Sequence, residues 1–322
     1  MSDTAIWGRR NPKVEGSHWE KLDLSEYKMT KPVVVCLSGN GATNEKEANG
    51  FCKIAENLIG LRLLSGNSEE IYDYADLIGV SYANDRGDGH AGLTNDDRAQ
   101  LVNNVLLPRC LDENGNALPI DDVCKNLSQV TFFSFCYGSK EVNNACSDLN
   151  RILIKEKGFT GAETDKIFES MAEISYSPCI ENCFTPKITA LSAEDNVNVD
   201  LFDYDFGKES IVSEKNDPDE SSGKYFETIN IYADHLSDDK DIANEHGVDL
   251  ISRDEKWRSI DGSKNADCVS QMMSYALARS VANGMRNADS KTYQPKIPMS
   301  QLLEEMNSIK DSFQKESGPE KE

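Results

Sequence analysis

The chain has 322 residues, with 56 acidic against 34 basic side chains and a net charge of −22. So acidic a surface repels nucleic acid and anionic membranes, which excludes nucleic-acid binding as the expected role and favours solubility without naming a partner. Nine cysteines, an odd number without a repeating spacing, argue against a disulfide framework or a zinc ribbon and read as reduced thiols.

Residues 1–30 are polar, carry Trp7 and Trp19, and read as an N-terminal arm, with His18 a surface residue. No apolar leader opens the chain, and no later run approaches the roughly 18 apolar residues of a membrane span. The expected location is cytoplasmic or otherwise soluble and reducing, with export into a host by a non-classical route left open. The length suits one α/β domain with insertions. Its first strand is Pro32 to Leu37, followed by a loop with Gly39, Asn40 and Gly41 and by a helix with Ala48, Phe51, Ala55 and Leu58 on one face. That loop lacks the third glycine of a dinucleotide fingerprint and the Gly-Lys-Ser/Thr of a phosphate loop, so nucleotide binding is the weaker reading.

Residues 76–83 form the next strand, and the loop after it carries Arg86, Asp88 and His90 toward the end of the sheet where ligands bind. A helix over 95–107, a turn and a short helix lead to residues 129–157. There Val130 to Phe135 is short, β-branched and aromatic, as an interior parallel strand reads. Val142, Ala145, Cys146, Leu149, Ile152 and Leu153 then recur at helical spacing. The turn between is Ser134-Phe135-Cys136-Tyr137-Gly138-Ser139, with small residues two before and two after Cys136. A nucleophile on a strained strand-to-helix turn needs such neighbours, and the helix N-terminus favours a thiolate and an oxyanion. The bland alternative is a buried core thiol.

Further along come a short helix in ETDKIFESMAE and strands in EISYSPC and KITALS. Cys179 and Cys183 are four apart with no second pair nearby, so no metal is expected. Glu194 and Asp195 stand in the turn after KITALS. Residues 200–224 read as an acidic surface insertion, and Asp200, Asp203 and Asp205 lack the spacing of a calcium loop. The strand in YFETINIYAD ends at His235, and His246 follows. A helix over 268–283 closes at Gly284, and Met299, Leu302, Met306, Ile309 and Phe313 form an apolar seam too short for a stable coiled coil.

The turn at Cys136 resembles the nucleophile elbow of the α/β-hydrolase superfamily, in the cysteine variant of its dienelactone-hydrolase-like members. The family's first small residue is usually glycine and here is Ser134. The resemblance covers residues 31–284, leaving 285–322 as a C-terminal amphipathic helix and charged tail. It implies a mostly parallel sheet flanked by helices and the order nucleophile, acid, base. Cys136 would then be the nucleophile, Asp195 the acid, with Glu194 its neighbouring alternative, and His235 the base, with His246 the alternative base. N–H groups from Gly39 or Asn40 and from Tyr137 would form the oxyanion hole.

The resulting expectation is a hydrolase or acyl transferase acting on an ester, thioester or amide, with no cofactor. The alternative is an inactive protein of the same fold that binds a small molecule or a protein, the latter through the acidic insertion or the C-terminal helix.

Overall fold

Strand β3 (Val33–Leu37) turns Val33, Val35 and Leu37 to one face and Val34 and Cys36 to the other, and all five side chains are buried. Such two-sided burial is the mark of an interior strand covered on both faces. The computed structural model describes residues 5–8, 20–24, 31–39, 45–63, 68–82, 93–179, 183–192, 211–214, 228–233 and 260–316. Around β3 are assembled β4 (Asp76–Ser81), β5 (Val130–Phe135), β6 (Ala172–Tyr176), β7 (Lys187–Ser192) and β9 (Thr228–Ala233). These six strands are all parallel, in the order β4-β3-β5-β6-β7-β9. Antiparallel strands extend both edges: β1 (Ala5–Gly8) and β2 (Glu20–Lys21) beyond β4, and β8 (Ile211–Glu214) beside β9.

Two helical layers cover the sheet. On the face of Val33 and Val35 lie α2 (Asn95–Leu101), α3 (Ile120–Leu127), α4 (Tyr137–Lys155) and α5 (Gly161–Ser170), packed with Val80 and Phe132. The apolar stripe of α4 is buried at Val142, Ala145, Cys146, Leu149 and Leu153. On the other face α1 (Glu45–Leu63), α6 (Ile260–Asp289) and α7 (Met299–Glu316) pack on Val34, Phe133, Ile174 and Ile188. Phe51 of α1 stacks on Phe133 at 4.7 Å between ring centres. Met299, Leu302 and Met306 of α7 are buried in this layer, so the C-terminal seam docks on the chain's own domain.

The sequence reading ends a helix at Gly284, whereas α6 runs through it to Asp289. The reason is packing: a Cβ at Gly284 would lie 3.2 Å from Gln129 Cα and from Pro32 Cβ, so the glycine lets the helix lie close to the sheet. The helix read over 95–107 is α-helical only to Leu101, then continues as a π turn (Val102–Leu106) and a 3-10 turn (Leu107–Cys110). Of residues 1–30, β1 and β2 join the sheet, and of the acidic stretch 200–224, the described part is β8. Among the described residues no helix is long and apolar enough to cross a membrane.

Candidate active site at the Cys136 bend

Counting the parallel strands alone, the chain runs from β3 outward to β4, then crosses back to β5 on the other side of β3. The order reverses between β3 and β5, and the helices that follow these two strands, α1 and α4, lie on opposite faces. At such a switch point the loops at the carboxyl ends diverge and leave a crevice, where ligands of open α/β sheets bind. Ser38 and Gly39 leave β3 there, and Cys136 leaves β5.

Cys136 links β5 to α4 with φ 50° and ψ −118°. A side chain rarely occupies this region, and holding one there costs about 1–3 kcal/mol unless the surroundings fix it. The surroundings are visible. The Cys136 N–H donates to the Tyr176 carbonyl at 3.0 Å, continuing the β5–β6 ladder. Its carbonyl accepts from the Ser139 N–H (3.1 Å), the Ser139 hydroxyl (2.8 Å) and the Cys179 N–H (3.3 Å).

The small neighbours have separate reasons. A Cβ on Gly138 would stand 1.9 Å from the Leu37 carbonyl oxygen, so the first turn of α4 lies directly against β3. Gly39 approaches from the other side, where a Cβ would lie 3.1 Å from Cys136 Cβ and 3.0 Å from the Phe135 ring. Ser134 is fully buried, and its hydroxyl serves Glu173 Oε1 at 2.6 Å and the Ser175 hydroxyl at 2.8 Å. A polar side chain therefore has buried partners two residues before the bend. Tyr137 opens α4, where the helix supplies no acceptor for its first N–H groups and its dipole favours negative charge.

Three residues near the bend carry no signature in the sequence. Tyr82, at the end of β4, is completely buried and donates to the Ser38 carbonyl at 2.6 Å, which pins the loop that bears Gly39. Burial, then the nearby charges of Glu141, Cys136 and Cys179, push its phenol well up. Glu141, buried in α4, has Arg98 at 3.9 Å. Ser177 takes φ 42° just past β6, with a buried hydroxyl that has no partner among the described residues. A position one residue beyond a parallel strand is the one available hint for Tyr82 and Ser177.

Cys136 is partly exposed, as are Cys179 and Cys268, while the other six cysteines are buried. Burial raises the Cys179 thiol to about 11, assisted by charge on Cys136 and opposed by its hydrogen bond with Ser139. Burial likewise lifts Cys110 to about 12 and Cys124 to about 11.

Asp195, His235, His246 and Asn40 lie outside the described residues. The strand ends that lead to two of them are described. Ser192, three residues before Asp195, is paired with Ala233, two residues before His235, and both strands run parallel to β5. With β7 two strands from β5 and β9 three, these exits stand roughly 10 and 14 Å from it along the same edge. No protein-family model and no curated protein sequence matches the chain.

Proposed function

We propose that the protein is a cysteine-dependent hydrolase or acyl transferase of the α/β-hydrolase type, acting on an ester, thioester or amide. The observation that carries this reading is the backbone of Cys136: a strained, partly exposed cysteine between β5 and α4, at the switch point of the sheet, with Gly39 pressed against it and Gly138 against the Leu37 carbonyl of β3. Strain of this kind at a crevice is maintained where it aims a side chain at a ligand. The register of Ser192 with Ala233 supports Asp195 and His235 as partners, since the segments bearing them leave adjacent strands at that edge.

In the proposed reaction His235 takes the proton of Cys136, and the sulfur attacks the substrate carbonyl carbon. The tetrahedral oxyanion is held by N–H groups of Gly39 or Asn40 and of Tyr137. As it collapses, the bond to the leaving oxygen, sulfur or nitrogen breaks, and the imidazolium returns its proton to that group. Water, or an acceptor nucleophile, then gives a proton to His235 and attacks the acyl-thioester, which releases the acyl group and restores the thiol. Asp195 fixes the imidazole tautomer and stabilises its cationic form.

The test is turnover of aryl ester and thioester substrates together with intact-mass detection of an acyl adduct. The expected result is an adduct on Cys136 and a loss of about a thousandfold or more in kcat/KM in Cys136→Ala with the fold retained. His235→Ala should fall comparably and His246→Ala little. Undiminished turnover in Cys136→Ala contradicts the proposal, and a complete lack of both turnover and adduct favours a binding protein of the same fold.

A further inference from the structure

A cavity of about 200 Å³ lies at the opposite ends of the strands, between the starts of β6 and β7, the second half of α6 and the segment leading into α7. Its floor is apolar, formed by Ile174, Ile188 and Leu302. Its rim carries Arg279, Arg286 and Lys296, three cations around one cavity in a chain of net charge −22. Arg279 is already matched, by two hydrogen bonds of 3.0 Å to the Glu305 carboxylate.

The other two cations are not matched in this way. Arg286 donates to neutral acceptors, Asn283 Oδ1 at 2.6 Å and the Pro295 carbonyl at 2.7 Å. Lys296 donates to the Met171 carbonyl, and burial pulls its ammonium down to about 7 against the opposing influence of Glu169 on α5. Among the described residues no carboxylate stands within ion-pair distance of Arg286 or Lys296. Asn283, on the same cavity wall and only 8% exposed, leaves its Nδ2 without an acceptor. A buried amide donor with no partner costs about 1–3 kcal/mol, so the site holds more donor capacity than the protein satisfies.

We propose that this cavity binds a small amphipathic carboxylate, its head accepting from Arg286, Lys296 and Asn283 Nδ2 and its hydrocarbon lying on Ile174, Ile188 and Leu302. One anion supplies the missing acceptor and the missing counter-charge together, and the guanidinium fork suits a planar carboxylate. The apolar floor selects a hydrocarbon-bearing acid over a bare inorganic anion. The site is distinct from Cys136: Ala172 on its wall pairs with Thr131 near the start of β5, whereas Cys136 follows the end of that strand.

Calorimetric titration of the full chain with octanoate and with octanamide tests this. Octanoate is expected to bind one molecule per chain, about tenfold or more tighter than the uncharged amide, with Cys136 free or carbamidomethylated. Asn283→Asp, which sets a carboxylate beside Arg286 in a side chain of nearly the same shape, and Lys296→Met should each weaken octanoate about tenfold or more. Absence of octanoate binding, equal affinity for the amide, loss of binding on blocking Cys136, or full affinity in both folded variants overturns the proposal. The octanoate and octanamide comparison on the unmodified chain decides the matter even if a variant does not fold.

Discussion

The two ends of β5 and β6 are built on different physical terms. At the carboxyl ends the backbone leaves its ordinary range twice, at Cys136 and Ser177, and glycines let neighbouring segments press close. At the amino ends the backbone is regular, and what is unusual is charge. Glu173 and Lys187 form a buried pair at 3.8 Å on one face, and Arg286, Lys296 and Asn283 surround a cavity on the other. Shape that is costly to hold stands at the crevice where the proposed chemistry would need an aimed side chain, and unmet donors stand at the cavity where the proposed anion would supply their acceptor.

The largest effect expected from breaking this contrast is at the carboxyl end. Gly138→Ala forces a methyl to within 1.9 Å of the Leu37 carbonyl, a backbone contact that cannot yield, so urea unfolding should show a loss of about 4 kcal/mol or more. Next comes Lys187→Met, which leaves the buried Glu173 carboxylate with Ser134 as its remaining hydrogen-bond donor in that network. A loss of about 3 kcal/mol is expected, recovered largely in the double variant Glu173→Leu/Lys187→Met, because the pair as a whole contributes little net stability.

A smaller, pH-dependent effect belongs to Lys296. Its folded pKa of about 7 lies below the ordinary value of 10.5, so between those limits the unfolded chain binds more protons than the folded one. Lys296 therefore makes stability rise as pH rises from about 7 toward 10.5, because the proton that folding strips from the amine costs less to remove as pH rises. Lys296→Met should flatten the stability profile by up to one proton's worth of slope in that window, and an unchanged slope would remove Lys296 from the account. The smallest effect is expected at Gly284, where the same change to alanine meets Gln129 Cα and Pro32 Cβ at 3.2 Å. A gain of about 1 kcal/mol in helix propensity offsets the tighter contact, so the net change should be near zero.

What the sequence revealed follows from how local each cause is. Val130 to Phe135 and Lys187 to Ser192 are strands as read, because burial on both faces writes an apolar or β-branched run into a few adjacent residues. The bend at Cys136 was legible for the same reason, since Gly138 and Ser134 lie within two residues of it. Tyr82 was not, because its role is a hydrogen bond to Ser38, 44 residues away. Glu173 and Lys187 resemble ordinary surface charges until register sets them side by side with Ser134 close by. The run of α6 through Gly284 depended on contact with Gln129 and Pro32, which no local pattern encodes. The four-residue β1 and two-residue β2 are too short to stand out against a polar segment.

The most direct test of the claim about Cys136 is a comparison of thiol alkylation rates by peptide mapping after brief exposure of the native chain to a haloacetamide near neutral pH. Cys179 and Cys268 are the internal controls, being the other partly exposed thiols. A cysteine held at a helix N-terminus and activated by an imidazole should react about tenfold or more faster than either, and the excess should vanish in His235→Ala. A rate for Cys136 no greater than that of Cys268 would contradict the account.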